Sequence, residues 1–319
     1  YLNAQTWINE NKYQEAYAYA VKVIADGHYP LASDYREIFL ADNNTCKEII
    51  WPLVQDGLRA QSSAGTNFYV KAFVNGPMDE LYKTGVGSRG WGNVRAKVSL
   101  VDAFDADDVM FDGNDTWGNN KKDKRAQFMT ALPNQVKDTW DVNMDMTSTF
   151  TCGYGYIKWR NVTKEDELCP SGDAYTSIDF PLFRTADAYL MAAEAILRGA
   201  NGTQSEALGY VNEVRTRAYM SGKYAKNGVR SDVSGEITAN ELNLDFLLVE
   251  RQKELASELT RRTDLIRFGK YTKGNNWDWK NGVRLGADVD DKYNLFPIPE
   301  SELTNNPTLV QNDGYKVIK

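Results

Sequence analysis

The sequence predicts a mainly α-helical protein in which helical hairpins frame a long, loop-rich insertion, and three observations predict it. Apolar residues recur at spacings of three and four over residues 1–27. The same design returns after residue 184. Between the two, residues 56–180 are rich in Gly, Asn, Asp and aromatic side chains and have weak periodicity.

The chain opens inside a helix. Tyr1-Leu2-Asn3-Ala4-Gln5-Thr6-Trp7 has no cap, signal peptide or charged segment before it, so it reads as a mature or truncated start with sequence missing upstream. Ala4, Trp7 and Ile8 mark one helical face, and Asn9-Glu10-Asn11-Lys12 supplies a turn. Ala16, Ala20, Val23 and Ile24 then mark the second face. Tyr189-Leu190-Met191-Ala192 echoes Tyr1-Leu2-Asn3-Ala4, and Glu206-Ala207 with Val214 echoes Glu15-Ala16 with Val23, across a turn at Gly199–Gly202. Alanines at the crossing points let helices approach closely, which is the physics of tetratricopeptide-like hairpins, each burying its face on the next.

A further helix is expected from about Asn240 to Leu259, with Leu244, Leu247, Leu248, Arg251 and Leu255 on one side. Leu265, Ile266 and Phe268 continue the apolar pattern until Gly269 stops it. Inside the insertion, a short helix is expected at Ser99–Phe104 and a strand at Tyr154–Trp159. One domain over residues 1–319 results: a helical hairpin at 1–55, a ligand-facing insertion at 56–180, hairpins at 181–270 and a loop-rich tail at 271–319. A long irregular insertion in a rigid helical frame usually carries function.

Composition excludes several functions. The net charge of −7, without a long Lys/Arg run, argues against nucleic acid as the main partner. No stretch approaches the roughly 18 consecutive apolar residues that span a bilayer. His28, the one histidine, follows Gly27 at a helix end and reads as a surface residue there. With one His, zinc motifs and Ser-His-Asp arrangements have almost nothing to work with. Cys46, Cys152 and Cys169 lack metal spacing. Cys152 and Cys169 either staple a loop, worth about 3 kcal/mol in the loop-closure model, or stand as separate buried thiols.

Four patterns carry possible chemistry. Gly85-Val86-Gly87-Ser88-Arg89-Gly90 matches GxGxxG, but no strand precedes it and no βαβ unit surrounds it, so it reads as a loop. Asp105–Asp108 and Asp112–Asp115 lack calcium-loop spacing and read as solvated acidic turns, with no metal. Glu250, Glu254 and Glu258 lie one turn apart near Arg251, Arg261, Arg262, Asp264 and Arg267, which reads as an ion-pair network between hairpins. A glycosidase would need two carboxylates facing across a cleft, whereas the loop pairs Asp79/Glu80 and Asp107/Asp108 are adjacent, so no enzyme and no cofactor are expected.

The fourth pattern is the supply of aromatics, 8 Trp and 18 Tyr in 319 residues. Phe68, Tyr69, Tyr82, Trp91 and Trp117 lie among Gly and Asn, away from the helical faces. They serve either as loop anchors or as platforms for the apolar C–H faces of sugar rings. Tyr69, Tyr82, Trp91 and Trp117 are the stacking candidates, with Asn67, Arg89 and Asn93 as polar companions for the hydroxyl rim.

Several segments together resemble the SusD/RagB family of surface glycan-binding lipoproteins. Arg184-Thr185-Ala186-Asp187-Ala188-Tyr189-Leu190-Met191-Ala192-Ala193-Glu194-Ala195 is similar to that family's R-x-A-D-x-Y-L-x-x-A-E-A helix. Glu250-Arg251 through Glu254-Leu255, Glu258 and Arg262, then Asp264–Gly269, carry the second likeness. Asn294-Leu295-Phe296-Pro297-Ile298-Pro299 and Gln311-Asn312-Asp313-Gly314-Tyr315 carry the third. Tyr29-Pro30-Leu31 and Glu48-Ile49-Ile50-Trp51 also look like the family.

The resemblance implies a SusD-like fold and a lipid-anchored protein on the outer face of a Gram-negative outer membrane. It implies capture of oligosaccharide or polysaccharide for a SusC-like TonB-dependent transporter in nutrient uptake, with no bond broken. The family's lipidated Cys and first helices have no counterpart here, so its anchor is expected upstream of this chain. Gly90-Trp91-Gly92 also recurs in the family, which leaves Trp91 a structural reading beside the stacking one. The alternative function is a helical-repeat interaction scaffold or peptide-binding protein that touches no sugar.

Overall fold

The structure, a computed structural model, describes residues 1–59, 61–63, 65–74, 82–109, 121–129, 153–220 and 233–316. Two compact units divide the chain, Tyr1–Leu259 and Thr260–Lys319. The first carries α1 (Leu2–Asn9) and α2 (Tyr13–Asp26), then the short α3 (Thr66–Ala72), α4 (Val98–Val101) and α5 (Ala106–Val109). Three longer helices follow: α6 (Thr185–Leu197), α7 (Gln204–Met220) and α8 (Leu244–Glu254). Its strands are β1 (Ile49–Leu53), β2 (Phe128–Met129), β3 (Gly155–Tyr156) and β4 (Phe180–Arg184).

Helix α6 is the centre of the hairpin scaffold because it is apolar on opposite sides. Ala188, Ala192 and Ala195, at helical spacing, pack with Met191 against Ala4, Ile8, Ala16 and Ala20 of the first hairpin. Ala186, Leu190, Ala193 and Ile196 face Ala207, Val211 and Val214 of α7 and Leu247 of α8. A helix buried on both sides needs this continuous supply of small and branched apolar residues. Both expected turns form. Gly27 ends α2 in the left-handed conformation. Thr203 and Glu206 form a reciprocal capping box at the start of α7, Thr203 Oγ1 accepting from Glu206 N and Glu206 Oε2 accepting from Thr203 N.

Two expected elements come out shorter. Helix α8 starts where the Asn243 side chain accepts the Phe246 N–H, and it stops at Glu254. Ser257 and Leu259, at φ of 62° and 64°, turn the chain away before the expected end. Of the expected strand at Tyr154–Trp159, Gly155–Tyr156 forms, paired antiparallel with Phe128–Met129. Tyr156, Ile157, Lys158 and Trp159 are all buried, so no solvent-facing side exists for an alternating strand. The expected helix at Ser99–Phe104 forms as the single turn Val98–Val101.

The insertion is closed at its base. Strands β1 and β4 pair antiparallel, Ile49 opposite Arg184 and Leu53 opposite Phe180. Asn43 clamps the same junction, donating to the Asp179 carbonyl at 2.8 Å and accepting from Asp179 N at 2.9 Å. The insertion also has a core of its own. Trp159, Tyr69 and Phe180 contact one another mutually, with ring centroids 5.4 to 5.8 Å apart, and Phe39 meets Trp159 edge-on at 4.9 Å.

Below that core lies a buried ion network. Five carboxylates (Glu48, Asp123, Glu250, Glu254, Glu258) meet five cations (Arg125, Lys158, Arg184, Arg215, Arg217). Arg184, at the end of β4, reaches Glu48 at 2.8 Å, Glu254 at 2.7 Å and Glu258 at 2.6 Å. Arg125 holds Glu250 at 2.6 Å and Asp123 at 2.8 Å. The expected network forms, with cations from the insertion, β4 and α7. Arg251 instead pairs with Asp187 at 2.7 Å. Burial alone would raise the Glu254 pKa, yet the guanidinium groups of Arg217, Arg184 and Arg125 hold it down at about 2.

The second unit contains α9 (Arg261–Arg267) and α10 (Glu300–Asn305). Arg262 lies over the rings of Phe296 (4.2 Å) and Tyr271 (4.9 Å), and Arg267 pairs with Asp264 at 2.7 Å. Pro297 and Pro299 have no N–H to offer a ladder. The Gln311 amide serves the intervening Ile298 instead, accepting from its N–H at 2.8 Å and donating to its carbonyl at 2.9 Å.

Candidate functional site

Helix α3 sets one wall of a cleft in the first unit. Thr66 anchors its start, donating to the Ile178 carbonyl at 2.7 Å. Asn67 and Lys71, four residues apart, then share a face and line the cleft. The chain from Trp91 runs along the end of this helix. Trp91 N donates to the Lys71 carbonyl at 2.9 Å, and Asn93 N and Val94 N to the Ala72 carbonyl at 3.0 Å. The helix's last carbonyls are thereby satisfied, and the backbone of Trp91 is held in place. A third wall comes from Ala174 and Tyr175, and Asp173 beside them binds Arg89 at 2.9 Å.

The cleft measures about 400 Å³ and is lined mainly by Asn67, Lys71, Arg89, Trp91, Tyr175 and the small residues between them. Trp91 is 44% exposed, as is Phe68, whose ring lies 6.2 Å from it. Asn67 is 2% exposed. Its Nδ2 donates to the Ser62 carbonyl at 3.0 Å, while its Oδ1 is buried without a hydrogen-bond partner. The arrangement offers an accessible indole face and two cations within one concavity.

The structure brings together three of the seven residues selected from sequence. Asn67, Arg89 and Trp91 line the cleft, and Asn93 is exposed two residues beyond Trp91. Tyr69 and Tyr82 do not join them. Tyr69 is half-buried with its ring stacked on Trp159, and burial raises its pKa. Tyr82, 5% exposed, belongs to the insertion's core. Apolar packing claims both rings, so neither presents a free face. Trp117 lies outside the described residues, as do Asp79, Glu80, Asp112–Asp115 and Cys152.

Sequence reasoning missed Lys71 and Tyr175. The spacing from Asn67 to Lys71 was a legible signal for the first; nothing local marks the second. One expectation is corrected. Asp108 is not a solvated turn residue: it is buried and accepts from Lys122 N at 2.7 Å and Asp123 N at 3.0 Å. Cys169 is a buried free thiol, the second of its two alternatives. The GxGxxG segment has glycines because Gly85 and Gly87 adopt positive φ, and no helix follows it. His28 is exposed and pairs with Asp26 at 2.8 Å. Among the described residues no cluster of three or more His, Cys, Asp or Glu could hold a metal, and no helix is long and apolar enough to cross a membrane.

Helical hairpins packed around α6, with an open cleft built on the insertion between β1 and β4, define a helical-repeat protein of the tetratricopeptide-like class. The SusD family model matches residues 47–315, and the chain belongs to the SusD family. It is 32% identical to the starch-binding protein SusD of Bacteroides thetaiotaomicron, over 99% of this chain and 58% of that protein. It is 25% identical to the SusD-like protein P25 of Formosa agariphila, over 98% of this chain and 57% of that one. The chain thus spans less than two thirds of these relatives' length.

Solved structures share the fold. Surface glycan-binding protein A from Bacteroides thetaiotaomicron, in complex with laminarihexaose, superposes with a TM-score of 0.65 at 22% identity, covering 97% of this chain and 62% of that one. Surface glycan-binding protein A from Bacteroides uniformis gives 0.62 at 21%, covering 97% and 59%. Proteins of the SusD family are carbohydrate-binding and non-catalytic.

Proposed function

We propose that this protein captures oligosaccharide or polysaccharide at the outer cell surface and delivers it to a TonB-dependent outer-membrane transporter. Family membership supports the class of ligand and the cell-surface setting. A lipid anchor upstream of this chain would hold it at the membrane. The carrying observation is Trp91, an exposed indole fixed through its backbone to α3 and set beside the buried, unfilled Asn67 acceptor. An indole face covers the C–H side of a sugar ring, and the polar groups around it read the hydroxyl rim. Such an open site binds one ring modestly, and repeated engagement of a polymer raises the avidity.

Native electrophoresis through gels containing soluble polysaccharides tests this directly. Retardation by at least one polymer is expected, and Trp91→Ala should abolish it while leaving the unfolding midpoint within about 1 kcal/mol, as for exposed positions. A polymer that retards wild type and Trp91→Ala equally would move the site elsewhere.

A further inference from the structure

Lys71 is a buried cation, 5% exposed, that forms no salt bridge. Its ammonium donates to the Ala174 carbonyl and lies 6.0 Å from the Tyr175 ring. Elsewhere in the first unit, the buried Arg36, Arg125, Lys158, Arg184 and Arg217 each meet a carboxylate. Taking an ammonium out of water is costly unless an opposite charge accompanies it. Lys71 instead meets a carbonyl, and it lines the cleft.

Its neighbours make the local charge positive. Arg89 lines the same cleft, and the one carboxylate acting on the pair among the described residues is Asp173, which is bound to Arg89. Burial, and then the Arg89 charge, lower the Lys71 pKa, so an incoming anion would relieve an existing electrostatic penalty. Arg89 is exposed and can share its guanidinium between Asp173 and a ligand.

We propose that the cleft selects sugars carrying an anionic substituent, a carboxylate or a sulfate ester, placed against Lys71 and Arg89. Trp91 covers the apolar face of the same ring. This selectivity rests on the glycan-binding reading above and adds the ligand's charge to it. Coulomb attraction at the exposed Arg89 is salt-sensitive, whereas stacking is not.

The test compares a polyuronate with its carboxyl-reduced, neutral form by titration calorimetry, and a sulfated galactan with its desulfated form. Wild type, Lys71→Met, Arg89→Gln and Trp91→Ala are run at 0.05 and 0.5 M NaCl. One anionic polymer should bind at least about tenfold more tightly than its neutral counterpart, the scale of one charge-assisted hydrogen bond; which pair shows it identifies carboxylate or sulfate. That preference should shrink in Arg89→Gln, vanish in Lys71→Met and fall at high salt. Arg89→Gln alters an exposed side chain, so the test survives if Lys71→Met fails to fold. Equal binding of charged and neutral forms with Trp91-dependent affinity retained would overturn the charge selectivity and leave the glycan reading standing. No binding of any polymer would overturn both.

Discussion

Tyr69, Tyr82 and Trp91 are aromatic residues of one insertion, and their surroundings separate their roles. Trp91 has its backbone bonded to α3 and its ring in the open, whereas Tyr82 is packed among Tyr35, Val86 and Trp159 in a shared core. Tyr82→Ala should therefore act on stability. A loss on the order of 3 kcal/mol is expected, as for other large aromatic truncations in cores, measured by urea unfolding. Glycan affinity of the remaining folded fraction should be unchanged; a specific loss of affinity without destabilisation would return Tyr82 to the site. Asn67 and Lys71 show that polar residues at helical spacing deserve the scrutiny usually reserved for aromatics, since their placement on one face could be read from sequence.

At the scale of elements, close approach explains a motif that resembled a phosphate loop. Gly85 sits at φ +77°, and a Cβ there would lie 2.5 Å from the Asn161 carbonyl oxygen. The Asn161 side chain in turn donates to the carbonyls of Gly85 and Gly172, joining the two loops behind the cleft. Gly85→Ala should lower the thermal midpoint markedly, because both the positive φ and the backbone clash oppose it. Wild-type stability in that variant would show that the two loops separate without penalty. Helix α7 allows a milder check. Thr203→Ala removes half of the capping box and should cost about 1 kcal/mol with ligand binding intact.

For the first unit as a whole, the ion network decides how stability responds to acid. Glu254 is held near a pKa of about 2 against an ordinary value of 4.5. As pH falls, the unfolded chain takes up this proton first. The stabilisation is thus fully present above about 4.5 and is lost progressively as pH approaches 2, by an amount on the order of 3 kcal/mol for this group. Glu254→Gln strips a charge from between Arg184, Arg217 and Arg125 and should cost about 3–5 kcal/mol at pH 7. Denaturant unfolding at pH 7 and at pH 3 checks both points. The variant should show a smaller drop between the two pH values than wild type; an identical drop would assign the acid sensitivity to other carboxylates.

The sequence by itself determined the scaffold. Alanines and branched residues at spacings of three and four specify where helices cross, and capping and turn residues specify where they stop, because these signals act within a few residues. It also marked Glu250, Glu254 and Glu258 as members of a network by their spacing of four, although α8 carries only the first two. Only the tertiary structure decided the rest. Arg125, Arg184 and Arg217 reach those carboxylates from segments far away in the chain, and no local pattern announces such a pairing. The same holds in the cleft. Trp91 and Tyr82 carry similar local sequence signals, and what distinguishes them is whether Trp159 and its neighbours, brought in by the pairing of β1 with β4, leave the ring covered or open.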